Sequence, residues 1–216
     1  TDTYWGGKDL GRISRFMIMA KETNSPYFEP LRDMLKEGLN DWFNYTPGEE
    51  NRFFASYPQW GGILGFNESY GSGQFTDNHF HYGYFVYAAA LLGMVDPDWV
   101  KQYEDILTMI TRQYANWDRN HDQFPFMRTL DPWMGHSYAG GTSSGGGNNQ
   151  ESSSEATQSW AGMFFLGELL GNNEMRDAAA FGYISEAQAT MEYWHDRSGE
   201  FFPEGYDHDI TGILWP

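Results

Sequence analysis

Two clusters of side chains in this sequence have the types and spacing to move protons. The first is Asp77-Asn78-His79-Phe80-His81-Tyr82-Gly83-Tyr84. As a strand it would put Asp77, His79 and His81 on one face, in the manner of a metal site. The run that follows, Phe85 to Leu92 with three successive alanines, argues for a helix instead. On a helix His79 and His81 point apart, while Asp77, His81 and Tyr84 form a stripe at i, i+4 and i+7. That disfavours a metal, and the plain reading has Asp77 cap the helix while the histidines hydrogen-bond in the core. The second cluster is Gln150-Glu151-Ser152-Ser153-Ser154-Glu155. Inside a helix its two carboxylates sit one turn apart on one face, a repulsion that grows as they lose solvent. Acids in a first turn suit the helix dipole, and Ser152 to Glu155 fits a capping box. A groove-lining pair fits as well, one carboxylate taking a proton from water and the other shaping its pKa. The residues leave both readings open.

Two further clusters mix charge with aromatic rings. One runs from Arg128 through Asp131, Trp133 and Gly135 to His136 and Ser137; the other, Trp5 to Arg12, places Lys8, Asp9 and Arg12 at a helix start. Singly, such residues form ion pairs or caps; together they suggest a polar groove. Trp5, Tyr82, Tyr84, Trp133 and His136 are expected to line one cleft with Asp77 and Glu151. With His81, Asp9 and Asp131 they make the candidate substrate-binding set, offering stacking faces and hydrogen-bonding tips suited to sugar rings.

The elements that must position these groups read as helices. Apolar residues recur at helical spacing over Leu10 to Lys21, Pro30 to Phe43, Asn78 to Gly93, Pro97 to Trp117, Glu151 to Gly171 and Glu174 to His195. Strand-like alternation is almost absent, so the predicted fold class is all-α. Short links at Val95-Asp96 and Asn172-Asn173 predict helical hairpins. Long irregular stretches, Thr46 to Thr76 and Trp117 to Gln150, separate them and are expected to carry function. Within the second, Gly140 to Gln150 has a linker's composition, yet it leads straight into the carboxylate-bearing helix and is expected to form a lid or groove wall.

Composition narrows the partners. Against 13 Lys and Arg stand 30 Asp and Glu, a formal charge of −17 that repels nucleic acid and anionic membrane surfaces. With 40% hydrophobic and 18% aromatic residues the 216-residue chain folds, and it is read as one catalytic domain over residues 1–216. The 9 Trp, 14 Tyr and 16 Phe exceed the needs of a core this size, so some belong in a groove. There is no cysteine, which removes thiol and disulfide chemistry and is compatible with export. The longest apolar stretch, Tyr82 to Met94, is too short to span a bilayer.

Several segments resemble glycoside hydrolase family 81, the endo-β-1,3-glucanases or laminarinases. They are Phe75-Thr-Asp77-Asn-His79-Phe-His81-Tyr82-Gly83-Tyr84-Phe85, then Asp131 with Gly135-His136-Ser137, then Asn149-Gln150-Glu151-Ser152-Ser153-Ser154-Glu155-Ala156. Trp5 to Arg12 and Trp60-Gly61-Gly62 are similar to further segments. The resemblance implies a secreted, cofactor-independent enzyme that hydrolyses internal bonds of β-1,3-glucan with inversion, built on an (α/α)6 toroid. It implies Asp77 as general acid, Glu151 as general base and Glu155 in support. Asn78, Asn148 and Tyr138 depart from the residues common in the family, which bears on subsites more than on chemistry. Family enzymes are longer, with a β-sandwich before the helical domain, and six helices make half a toroid of twelve. Apolar faces left by such a cut are expected to be covered by self-association or by a missing domain. Two alternatives stand beside this reading: a glucan-binding remnant without catalysis, and a metal-dependent hydrolase built on Asp77, His79, His81 and His136.

Overall fold

A computed structural model describes residues 1–141 and 149–215. The expected lid at Gly140 to Gln150, and with it Asn148, lies mostly outside the described residues. The order of elements is α1 (Thr3–Glu22), α2 (Phe28–Phe43), β1 (Phe53–Tyr57), β2 (Gly62–Phe66), α3 (Asn78–Gly93), α4 (Pro97–Gln102), α5 (Glu104–Ala115), β3 (Leu130–Asp131), β4 (His136–Ser137), α6 (Ser153–Leu170) and α7 (Asn173–Ala189).

Helix α3 is the centre. All but one of its residues, from Asn78 to Gly93, are buried, the signature of a helix wrapped on every side rather than one with a wet face. It packs against α1, α2, α4, α5 and α6, and α6 pairs with α7 as a hairpin. Close approach requires small residues. A Cβ on Gly7 would stand 2.9 Å from the Phe85 ring, and one on Gly83 would stand 2.4 Å from the Ser159 Cβ. The core of Leu35, Leu39, Trp42, Phe85, Ile110, Tyr114 and Trp160 surrounds α3.

The six predicted helical segments are present, with corrections at their ends. Helix α1 starts at Thr3 rather than Leu10, capped by the Asp2 carboxylate on the Trp5 N–H, so Lys8, Asp9 and Arg12 lie within it instead of at its start. Pro97 to Trp117 breaks at Tyr103 into α4 and α5. Helix α6 begins at Ser153, which leaves Glu151 outside it. The last segment turns into a single π-helical stretch at Thr190–Trp194. The chain also forms two antiparallel hairpins that the pattern did not show. Phe53 pairs with Phe66 and Tyr57 with Gly62 in one; Leu130 pairs with Ser137 in the other.

The outward face of α6 and α7 stays apolar. Ala161, Phe164, Phe165, Ala180, Tyr183 and Ile184 line a hollow of about 350 Å³ there. Among the described residues no helix is long and apolar enough to cross a membrane.

Candidate active site

Asp77 sits at the entrance of α3 in an unusual backbone state. Its φ of 55° and ψ of 16° are left-handed, and its side chain makes no capping bond. Such a conformation costs a non-glycine residue about 1 kcal/mol or more, so neighbours must hold it. They do so through the main chain. The Asp77 N–H donates to the Ala139 carbonyl at 2.8 Å, and the Asp77 carbonyl accepts from the N–H groups of Phe80 and His81. The carboxyl is thereby released from capping and turned toward a cleft. Its Oδ1 is buried and has no hydrogen-bond partner among the described residues. Burial first, then the negative charges of Glu151 and Glu155, push this carboxyl up to about 7.

The cleft, about 400 Å³, is lined by Tyr4, Trp5, Tyr70, Asp77, Phe80, His81, Glu151, Ser152 and Glu155. Helices α1, α3 and α6 meet there. Trp5 and Tyr70 keep 51% and 59% of their surfaces exposed, open ring faces beside the carboxyl groups. His81 belongs to the wall: its Nδ1 lies 2.8 Å from the Thr3 hydroxyl, and burial pushes its pKa down to about 4, so it is neutral in ordinary conditions. Helix α1 can bring Thr3 and Tyr4 so near only because Gly7 lets it lie against α3.

Glu151 and Glu155 occupy unlike settings. Glu151 is exposed, in the irregular residues before α6. Glu155 lies in the first turn of α6, 2.5 Å from the Tyr84 hydroxyl that donates to it and 3.8 Å from the Lys8 Nζ. Lys8 in turn donates to the Tyr4 hydroxyl at 2.9 Å. Burial opposes the charge on Glu155, but hydrogen bonds from Ser152, Tyr84 and Tyr4 and the Lys8 ammonium prevail and hold its carboxyl below the usual range. The cleft therefore combines a carboxyl that resists ionisation with a carboxylate that favours it, the divergence expected where one group gives a proton and fixed charge lies nearby.

Asp77 and Glu151 are tied by main chain. Ala139, whose carbonyl receives the Asp77 N–H, donates its own N–H to the Asn149 carbonyl at 2.7 Å.

The structure brings Asp77, Glu151, Glu155, His81 and Trp5 together and places Tyr84 behind Glu155. It puts the other candidates elsewhere. Tyr82 is fully buried, its ring against Phe54 and its hydroxyl accepting the Gly65 N–H, so it serves the core. His136 is buried beside Tyr193 and Trp194. Asp131 accepts the N–H groups of Trp133 and Met134 and so closes the β3–β4 turn, on which Trp133 is 92% exposed. Asp9 lies one helical turn beyond Trp5, exposed and paired with Arg12 at 2.8 Å. The cluster of Asp77, His79, His81 and His136 is not a metal centre: α3 sends His79 and His81 to different sides, with His79 fully buried against Phe80. No group of three metal-binding side chains occurs among the described residues. Tyr4 and Tyr70 went unnoticed in the sequence. Tyr4 carried a usable signal, one turn before Lys8 and beside Trp5.

Comparison with known proteins accords with this site. The chain is 38% identical over 99% of its length to a glucan endo-1,3-beta-D-glucosidase of Acetivibrio thermocellus. It is 37% identical over its whole length to a protein of the same description from Thermobifida fusca, and 30% identical to one from Glycine max. It spans 28% and 29% of the two bacterial relatives, less than a third of either. A solved structure of a glycoside hydrolase family 81 protein from Clostridium thermocellum superposes with a TM-score of 0.94 at 38% identity, covering 100% of this chain and 31% of that one. Residues 1–216 match the Glycosyl hydrolase family 81 C-terminal domain, and the chain, a set of helical hairpins of that family's toroid, belongs to glycoside hydrolase family 81.

Proposed function

We propose that this chain carries the acid and base of an inverting endo-β-1,3-glucanase. The observation that supports it most is Asp77, a carboxyl pushed up to about 7 in a cleft it shares with Glu151 and Glu155. A glucosidic bond breaks when the leaving oxygen is protonated as the anomeric carbon is attacked. Asp77, protonated near neutral pH, gives its proton to the glucosidic oxygen. Glu151, open to solvent, takes a proton from a water that attacks the anomeric carbon from the opposite face. The C–O bond to the leaving sugar breaks, a C–O bond to water forms, and Asp77 ends ionised with Glu151 protonated. Glu155 stays charged, held by Tyr84 and Lys8, and its charge adds to the burial that favours protonated Asp77. Trp5 and Tyr70 offer stacking faces for glucose rings. No cofactor enters this chemistry. Carboxyl groups that leave room for water stand roughly 6.5–9.5 Å apart, the spacing expected for this pair. The names of the relatives supply the substrate class, and a polymeric substrate supports the reading of a secreted enzyme. The apolar face of α6 and α7 is where further helices of a complete toroid would pack. Laminarin digestion followed by proton NMR tests the proposal: α-anomers appear first, and early β-anomers would refute inversion.

A further inference from the structure

Behind the cleft lies a buried carboxylate that the proposed reaction does not use. Glu186 of α7 is fully buried, and every partner of its side chain is a donor. The Ser137 N–H gives to its Oε2 at 2.7 Å, the Trp160 indole N–H to the same oxygen at 3.3 Å, and the Gln150 amide to its Oε1 at 3.1 Å. Burial pushes the Glu186 carboxyl above the usual carboxylate range, hydrogen bonds from Ser137 and Trp160 oppose that, and these fixed partners hold its oxygens in place. The Gln150 amide also gives to the Ser137 carbonyl and hydroxyl at 2.7 and 2.6 Å, which fixes the orientation of its head group. That orientation aims the other end, Oε1, at the backbone N–H of Glu151 at 3.0 Å and of Ser152 at 3.3 Å.

We infer that Glu186 is a positioning residue for the base: through Gln150 it clamps the main chain of Glu151 before α6 begins. The inference rests on the role proposed above for Glu151. It accounts for a buried carboxyl bonded to Ser137, 49 positions away, and to Gln150, 36 positions away. It also explains how an exposed residue outside any helix keeps a fixed place. A single antiparallel bridge ties the Gln150 main chain to Leu214, and one residue further on the side chain of Gln150 supplies the acceptor for the N–H groups of Glu151 and Ser152.

Glu186→Gln tests the idea because it keeps the shape and puts an NH2 group among donors. In a folded variant, amide hydrogen exchange at Glu151 and Ser152 should rise at least about 10-fold, while exchange in α3 stays as it was. On laminarin, kcat should fall about 10- to 100-fold with KM within about twofold, the pattern of a misplaced reacting group. In Glu151→Gln the same change should cost nothing further. Unchanged exchange at Glu151, unchanged kcat, or a loss that multiplies with that of Glu151→Gln would each overturn the inference. If Glu186→Gln does not fold, Gln150→Met takes its place, since it removes the clamp and leaves Ser137 and Trp160 on Glu186, and the same outcomes apply. Full activity in Glu151→Gln would instead refute the base assignment, whatever Glu186→Gln does.

Discussion

The proposed acid and the proposed base of this cleft are built by opposite means. Asp77 stands at the head of the most buried helix, in a left-handed backbone, with a carboxyl oxygen that has no partner among the described residues. Glu151 stands in irregular chain, exposed, with its main chain bonded to the Gln150 side chain. At the acid, main-chain bonds pay a conformational cost so that burial can raise a pKa. At the base, a polar side chain replaces secondary structure so that the carboxylate can stay in water. The contrast teaches that matching a carboxyl to its task depends on its solvent more than on its residue type, since both groups are plain acids on neighbouring segments.

Replacing either carboxyl should show the largest effects. Asp77→Asn and Glu151→Gln should each lower kcat on laminarin about 10²- to 10⁴-fold, measured at saturating substrate. Should one of them keep full turnover, its half of the comparison collapses.

The pH dependence separates the two further. Asp77 acts only while protonated, so kcat/KM should fall as pH rises through about 7. Glu155→Gln removes one of the charges that raise Asp77, which makes ionisation easier and should move that alkaline limb to lower pH. A limb that stays in place would show that the Glu155 charge does not act on Asp77, leaving burial and Glu151 to set the acid.

A stability cost should accompany Asp77. The folded value of about 7 lies above the ordinary 3.8, so the fold favours protonated Asp77. Its destabilising effect is absent below pH 3.8, grows as pH rises and is complete above about 7. Asp77→Asn should therefore raise stability at pH 8 by about 2 kcal/mol, reduced for partial solvent contact, and by almost nothing at pH 4. Denaturation of wild type and variant at both pH values checks it; equal gains at the two would refute the burial argument.

Smallest of all, Trp133→Ala should change stability by less than about 0.5 kcal/mol and leave kcat alone, since that ring is 92% exposed on a turn away from the cleft. A large loss of laminarin turnover would return Trp133 to the substrate path.

Much of this was legible before any coordinates. The core period of α2, the alanine run of α3 and the Asp-Pro start of α4 each announce a helix, and the i, i+4 stripe correctly turned His81 toward Asp77. The start of α1 was hidden because Gly6, Gly7 and Gly11 weaken a helical pattern while serving close contacts, Gly6 with Trp42 of α2 and the other two with α3. The first hairpin was hidden because Gly62-Ile-Leu-Gly-Phe66 does not alternate; it is short and pressed against Tyr82 and Gln113. Tyr82 and His136 misled because adjacency in a motif says nothing about which way a ring faces. Tyr82 falls one residue from His81 and so points into the core instead of the cleft. The left-handed state of Asp77 had no local signal, being imposed by Ala139 from a distant loop.

That loop has a mechanical meaning. Ala139 grips the backbone at Asp77 with its carbonyl and the residue two before Glu151 with its amide. The two segments are thus held in a caliper whose opening is set by main chain, indifferent to the sugar between its jaws. Ala139→Pro is the substitution that frees one jaw, because it takes away the N–H that Ala139 gives to the Asn149 carbonyl.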